Sequence, residues 1–172
     1  MANYLTDVSV EAVMDALGDW LAPFVPGGEI IRGEINRTPM PADPFVVLTE
    51  ILQVRLGRPG TTYHGDAQTE TIQEPTRIDV QADFYGEASG EYCKAVKAAF
   101  STLWGWDQFP TNIKPLYTDD GRQAPMINGE QQYERRWILT LSLQYNPSVI
   151  LPMGSALGDD IQVNAIYVEG EA

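Results

Sequence analysis

From Gln132 to Tyr145 the chain alternates with a period of two. The odd positions carry Tyr133, Arg135, Trp137, Leu139, Leu141, Leu143 and Tyr145, and the even ones Gln132, Glu134, Arg136, Ile138, Thr140, Ser142 and Gln144. Side chains two apart on a strand share a face, so this run is a strand with one buried and one wet side. Asn128-Gly129 ahead of it tolerates positive φ and lets the chain reverse, and Asn146-Pro147 ends it because proline donates nothing to a ladder. Burying Trp137, Leu139, Leu141 and Leu143 contributes roughly 1.5–3 kcal/mol each. No other stretch offers as much core, so any fold of this chain has to place this strand centrally.

The remaining elements arrange themselves around it. Val10, Val13, Met14, Leu17 and Leu21 recur at three- and four-residue spacing behind Thr6, Asp7 and Ser9, which predicts a capped helix of about three turns. Pro23, Pro26, Gly27 and Gly28 stop it. Glu29 to Arg32 is a candidate short strand. Phe45 to Leu56 starts apolar at every position and then alternates, with Leu52, Val54 and Leu56 on one side and Gln53 and Arg55 on the other. Thr76 to Tyr85 alternates throughout, and the two are expected to pair antiparallel. Between them, residues 57–75 form a long polar loop, with Thr61-Thr62-Tyr63 and Thr69-Glu70-Thr71-Ile72 flanking a turn at His64-Gly65-Asp66, the pattern of a hairpin arm. Ser89 is expected to cap a second helix with the stripe Tyr92, Val96, Ala99, Phe100 and Leu103, ending at Gly105, and Trp104, Trp106 and Phe109 gather at its exit. Asn112 to Thr118 is a further candidate strand. The expected architecture is α+β: a four- or five-stranded, mostly antiparallel sheet with two helices packed on one face.

Two sets of residues resemble a known family. Arg122-Gln123-Ala124-Pro125-Met126-Ile127-Asn128-Gly129-Glu130-Gln131-Gln132-Tyr133, with Leu143-Gln144-Tyr145-Asn146-Pro147 behind it, resembles the tailed-bacteriophage neck or tail-terminator family. Arg32-Gly33, Asn36-Arg37-Thr38-Pro39-Met40-Pro41, Pro44-Phe45-Val46-Val47 and Asp79-Val80-Gln81-Ala82-Asp83-Phe84-Tyr85-Gly86 resemble its earlier segments in the same order. The resemblance implies a virion protein, assembled in the host cytoplasm, that forms a hexameric ring on the tail tube. It implies as partners further copies of itself, the tail tube protein and the head-side connector, with DNA passing through unbound. A tail tube or head-completion protein of the same virion is the alternative. On this reading residues 1–147 are the tail-terminator-like domain, and 148–172 are a C-terminal extension with one short strand over 159–168.

Composition agrees with a structural role. Against 24 acidic residues stand 11 basic ones, a net charge of −13, which makes nucleic acid a poor partner because phosphate binding draws on clustered Lys and Arg. A single cysteine, Cys93, and a single histidine, His64, exclude an internal disulfide and the usual zinc sites. Cys93 falls on a helix face and is expected to be a buried structural thiol. No apolar stretch of membrane-spanning length occurs. The acid pairs Asp119-Asp120 and Asp159-Asp160 are the nearest approach to catalytic or cation-binding chemistry. Neither has a histidine, a nucleophile elbow or a phosphate loop to work with. No enzyme activity, cofactor or metal is expected. The candidate subunit-interface residues are Arg55, Arg58, Tyr63, His64, Arg135, Arg136, Ile161, Val163 and Tyr167.

Overall fold

The computed structural model describes residues 5–33, 40–124, 126–127 and 133–153. Along the chain come α1 (Val10–Leu21), a 3-10 turn (Ala22–Phe24), β1 (Glu29–Arg32), β2 (Phe45–Arg55), β3 (Gly60–His64), β4 (Thr69–Gln73), β5 (Thr76–Tyr85), α2 (Ser89–Phe100), α3 (Leu103–Gln108), β6 (Ile113–Thr118), β7 (Arg122–Gln123), β8 (Met126–Ile127), β9 (Tyr133–Glu134), β10 (Arg136–Tyr145) and β11 (Ser148–Pro152). The class is α+β and mostly antiparallel, as the alternation implies. The main sheet is larger than four or five strands: its order is β1-β2-β5-β10-β6, and the short β7 makes a sixth strand beside β10. The strand β1 enters parallel to β2, with Glu29 opposite Phe45 and Arg32 opposite Leu48.

The alternating run takes the central place its apolar face demands. It pairs with β5 on one side and β6 on the other, setting Leu139 opposite Ala82, Leu141 opposite Val80 and Leu143 opposite Ile78. All six side chains have no solvent exposure. Val13, Leu17 and Leu21 of α1 and Val96 and Phe100 of α2 complete this core from one face of the sheet. The strand is interrupted at Arg135, which lies between β9 and β10. Asn128-Gly129, the expected turn, and the expected strand 159–168 lie outside the described residues.

Helix α1 begins where Ser9 accepts a hydrogen bond from the Ala12 amide at 3.1 Å, satisfying one of the free N–H groups of a first turn. The second helix departs from expectation at both ends: Ser89 is its first residue and makes no capping bond, Ala88 standing at the N-cap. It ends at Phe100 instead of running to Gly105, because Thr102 Oγ donates to the Ala99 carbonyl at 2.6 Å and accepts from the Gly105 amide at 3.1 Å. One hydroxyl thus closes α2 and caps α3. The resulting turn swings Leu103 out of the apolar stripe to 75% exposure. Gly105 is therefore no helix stop: it sits inside α3, where an added Cβ would lie 2.4 Å from the Ala99 carbonyl oxygen. Gly86 serves the expected purpose at the end of β5, with φ +104°.

Residues 57–75 form the hairpin β3–β4, and β11 adds to it as a third strand, Ser148 opposite Gln73 and Pro152 opposite Thr69. This three-stranded arm is anchored at its base. Asp7 donates its amide to the Ser148 carbonyl at 3.1 Å, its carboxylate accepts from the Ser148 amide at 2.6 Å, and Glu74 donates to the Pro147 carbonyl at 3.0 Å.

Cys93 is 2% exposed on the inner face of α2. Burial, with help from the Asp119 charge, pushes its thiol up to about 11. A thiol reagent at pH 8 should therefore leave the folded protein unlabelled and react fully once urea unfolds it, since the thiolate is the nucleophile. Rapid labelling of the native protein would place Cys93 at the surface.

Candidate subunit interface

Among the described residues no group of three or more His, Cys, Asp and Glu side chains is arranged to hold a metal ion. Of the acid pairs, Asp119 accepts from the Thr140 amide at 2.7 Å and Asp120 pairs with Lys97. Both carboxylates are engaged in holding the β6–β7 turn against β10 and α2. Asp159-Asp160 lies outside the described residues. No described helix is long and apolar enough to cross a membrane.

The sheet face turned away from the helices carries a polar seam. Arg136 donates to the Asp83 carboxylate at 2.9 Å, and Gln81 reaches both oxygens of the same carboxylate at 3.0 Å. Asp83 is only 4% exposed. Burial works against the Arg136 charge, but the Asp83 carboxylate outweighs it and holds the guanidinium above its usual range. Further along, Asp79 accepts from Ser142 Oγ at 2.7 Å and from Arg77 at 3.1 Å, while Arg77 also donates to the Tyr117 hydroxyl at 2.9 Å. Phe45 and Tyr85 stack at 4.4 Å at the other end of this face. The seam's charges are matched within the chain, so it rigidifies the sheet without offering a free charge to a partner.

Exposed apolar surface lies elsewhere, in two groups at opposite edges of the main sheet. The first is the far half of β2. The β-bulge between Glu50 and Leu52 shifts the register, and β1 accompanies β2 only as far as Leu48. Beyond that point Ile51 is 52% exposed, Leu52 47% and Leu56 45%. This alternation was legible, but its apolar side has no described cover. The arm adds Tyr63 and Ile150, both more than half exposed.

The second group is α3, beside β6, where Lys114 sits over the Trp106 ring at 4.1 Å and donates to the Trp106 and Phe109 carbonyls. Phe109 turns inward and stacks on Trp20 at 5.6 Å, while Trp104 stays half exposed with one side against Trp20 and Phe24. Between α3 and the C-terminal half of α1 runs a groove of about 430 Å³ lined by Asp19, Trp20, Pro23, Trp104, Gln108 and Pro110.

The described residues among those singled out by sequence fall in two places, Arg55, Arg58, Tyr63 and His64 at the arm and Arg135 and Arg136 at the start of β10. Arg55, at the end of β2, lies 3.5 Å from Glu74, and Arg58 is exposed in the connection to the arm. Tyr63 and His64 are on the arm's outer strand, with His64 Nε2 3.1 Å from Thr71 Oγ. Arg135 reaches the Glu87 carbonyl at 3.4 Å and Arg136 is held by Asp83, so both are spent on contacts within the chain. Ile161, Val163 and Tyr167 lie outside the described residues. Linear reading did not find the groove, because its walls come from residues 19–23 and 104–110 and only the aromatic cluster at α3 hinted at it.

Compared with known proteins, residues 11–171 match the family model described as phage neck terminator protein. No curated protein matches the chain.

Proposed function

This chain belongs to the phage neck terminator family, and from that premise we propose that it caps the tail tube as a closed, six-fold ring and joins it to the head-side connector. As a member of a neck family it is a structural virion component. The observation that carries the ring is the pair of exposed apolar surfaces at opposite edges of one sheet, the far half of β2 and α3. Two different sticky surfaces on one chain associate head to tail, and head-to-tail contacts close into rings when the rotation permits. The arm, with its outer strand β3 exposed throughout, extends the reach of each copy. The extension from Ser148 onward contributes to assembly on this reading, beginning with β11 in the arm. The same geometry with a rotation that does not close gives a filament, which is the tail-tube alternative. Native mass measurement at micromolar concentration, with electron microscopy of tails, tests the ring. A discrete six-fold species supports it, filaments growing with concentration favour the tube, and a strict monomer both free and in the particle overturns both.

The charge suits a passage for DNA. Each copy carries −13, and like charge around an opening repels a polyanion instead of holding it. Gel-shift titrations with duplex DNA at falling salt should show no binding even where screening is weakest. Tight binding with a steep salt dependence would reveal a basic stripe and overturn this expectation.

A further inference from the structure

We propose that the segment Leu56 to Pro59, at the end of β2, seats in the groove between α1 and α3 of the next copy. The inference rests on the ring reading and names the contact that would build it. The groove is open, its walls are mostly aromatic and proline side chains, and its charged member is Asp19. Its volume falls in the range of about 300–1,000 Å³ that commonly seats a small ligand, which accommodates a few side chains and no folded element. The segment offers Leu56, 45% exposed, then Gly57, then the exposed Arg58, then the half-buried Pro59.

Charge selects this occupant. In a chain with more than twice as many acids as bases, a basic side chain beside an exposed apolar one is scarce. Arg55 and Arg58 supply that combination at the end of β2. Arg58 has no ion-pair partner among the described residues, and neither has Asp19 in the groove wall. Arg58 of one copy over Asp19 of the next would match the two. Leu56 and Pro59 would cover the free side of Trp104, whose other side is already fixed by Trp20 and Phe24. A rigid, half-exposed tryptophan faced by an arginine is the kind of anchor that dominates interface energetics. Within one chain the segment does not line the groove, whose walls come from α1, the 3-10 turn, α3 and Pro110. Each copy therefore uses both, once on each side, which is the head-to-tail arrangement a ring requires.

The test uses two single-cysteine additions, Arg58→Cys and Asp19→Cys, both at exposed positions; Cys93 does not compete because it is buried. Mixed and mildly oxidised, the two variants should give a disulfide-linked heterodimer, and neither should cross-link alone. In parallel, Arg58→Glu should weaken association by about tenfold or more, as juxtaposed like charges do, and Arg58→Glu with Asp19→Arg in one chain should recover it. Cross-linking of Arg58→Cys with itself would mean a two-fold edge contact and overturn the proposal. So would an assembling parent whose variants neither cross-link nor respond to charge reversal, a result that leaves the ring standing with its contact elsewhere. A parent that never assembles removes the ring and this contact together.

Discussion

Leu141→Asp should yield no soluble folded protein. Leu141 is fully buried between Val80 of β5 and Thr118 of β6, at the middle of a strand that is paired on both sides. Truncating such a leucine costs about 2–5 kcal/mol, and placing a carboxylate there without a partner adds several more. Against a total stability of about 5–15 kcal/mol, that sum is close to everything the domain has. Leu141→Met, which keeps volume, should cost less than about 1.5 kcal/mol. Soluble yield and thermal melting by circular dichroism decide it: an aspartate variant that melts like the parent would mean that the odd face of β10 is not the core face.

Asp83→Ala should be the most damaging change on the opposite face of the sheet. It removes the carboxylate that both Arg136 and Gln81 address and leaves the guanidinium in a site with little water. Breaking a buried pair from one side costs about 3–5 kcal/mol. Here the Arg136 side chain keeps 25% of its exposure, so about 2–4 kcal/mol is expected. Replacing both partners, Asp83→Leu with Arg136→Met, should recover most of the loss, because the attraction and the desolvation cost disappear together. Urea titrations of the two variants separate the cases. Equal destabilisation by both would mean that shape, and not charge matching, holds this face.

The elements best legible in the sequence are those whose burial is one-sided and uninterrupted. The run from Thr76 to Tyr85 and the run ending at Tyr145 both alternate cleanly, and each turned its apolar parity inward. Helix α1 was legible from its stripe and its cap for the same reason. Legibility failed where a single local feature redirected the chain. One bulge near Ile51 shifts the far half of β2 against β5, and one threonine hydroxyl at Thr102 splits an apparently continuous helix into two. Neither feature changes the hydrophobic pattern, so periodicity alone cannot detect it. The candidate interface was less legible still. Arg136 stands on the wet parity of its strand, yet Asp83, more than fifty residues earlier, claims it. The groove beside Trp104 exists only because Trp20, Phe24 and Phe109 converge there through tertiary packing.

Among the described strands, the central one is made after all but β11. Strand β5 ends at Tyr85, while β10, its neighbour on the inner side, ends at Tyr145. At translation rates of about 5–20 residues per second, roughly 3–12 s separate the synthesis of the two. During that interval the β2–β5 hairpin can exist, but Ile78, Val80 and Ala82 have no Leu143, Leu141 and Leu139 to face them. An apolar strand with an unpaired edge is then presented to every other nascent chain nearby. Slowing initiation or lowering the growth temperature should therefore raise soluble yield more than any additive that acts on the finished protein, because the vulnerable species is a chain still attached to its ribosome.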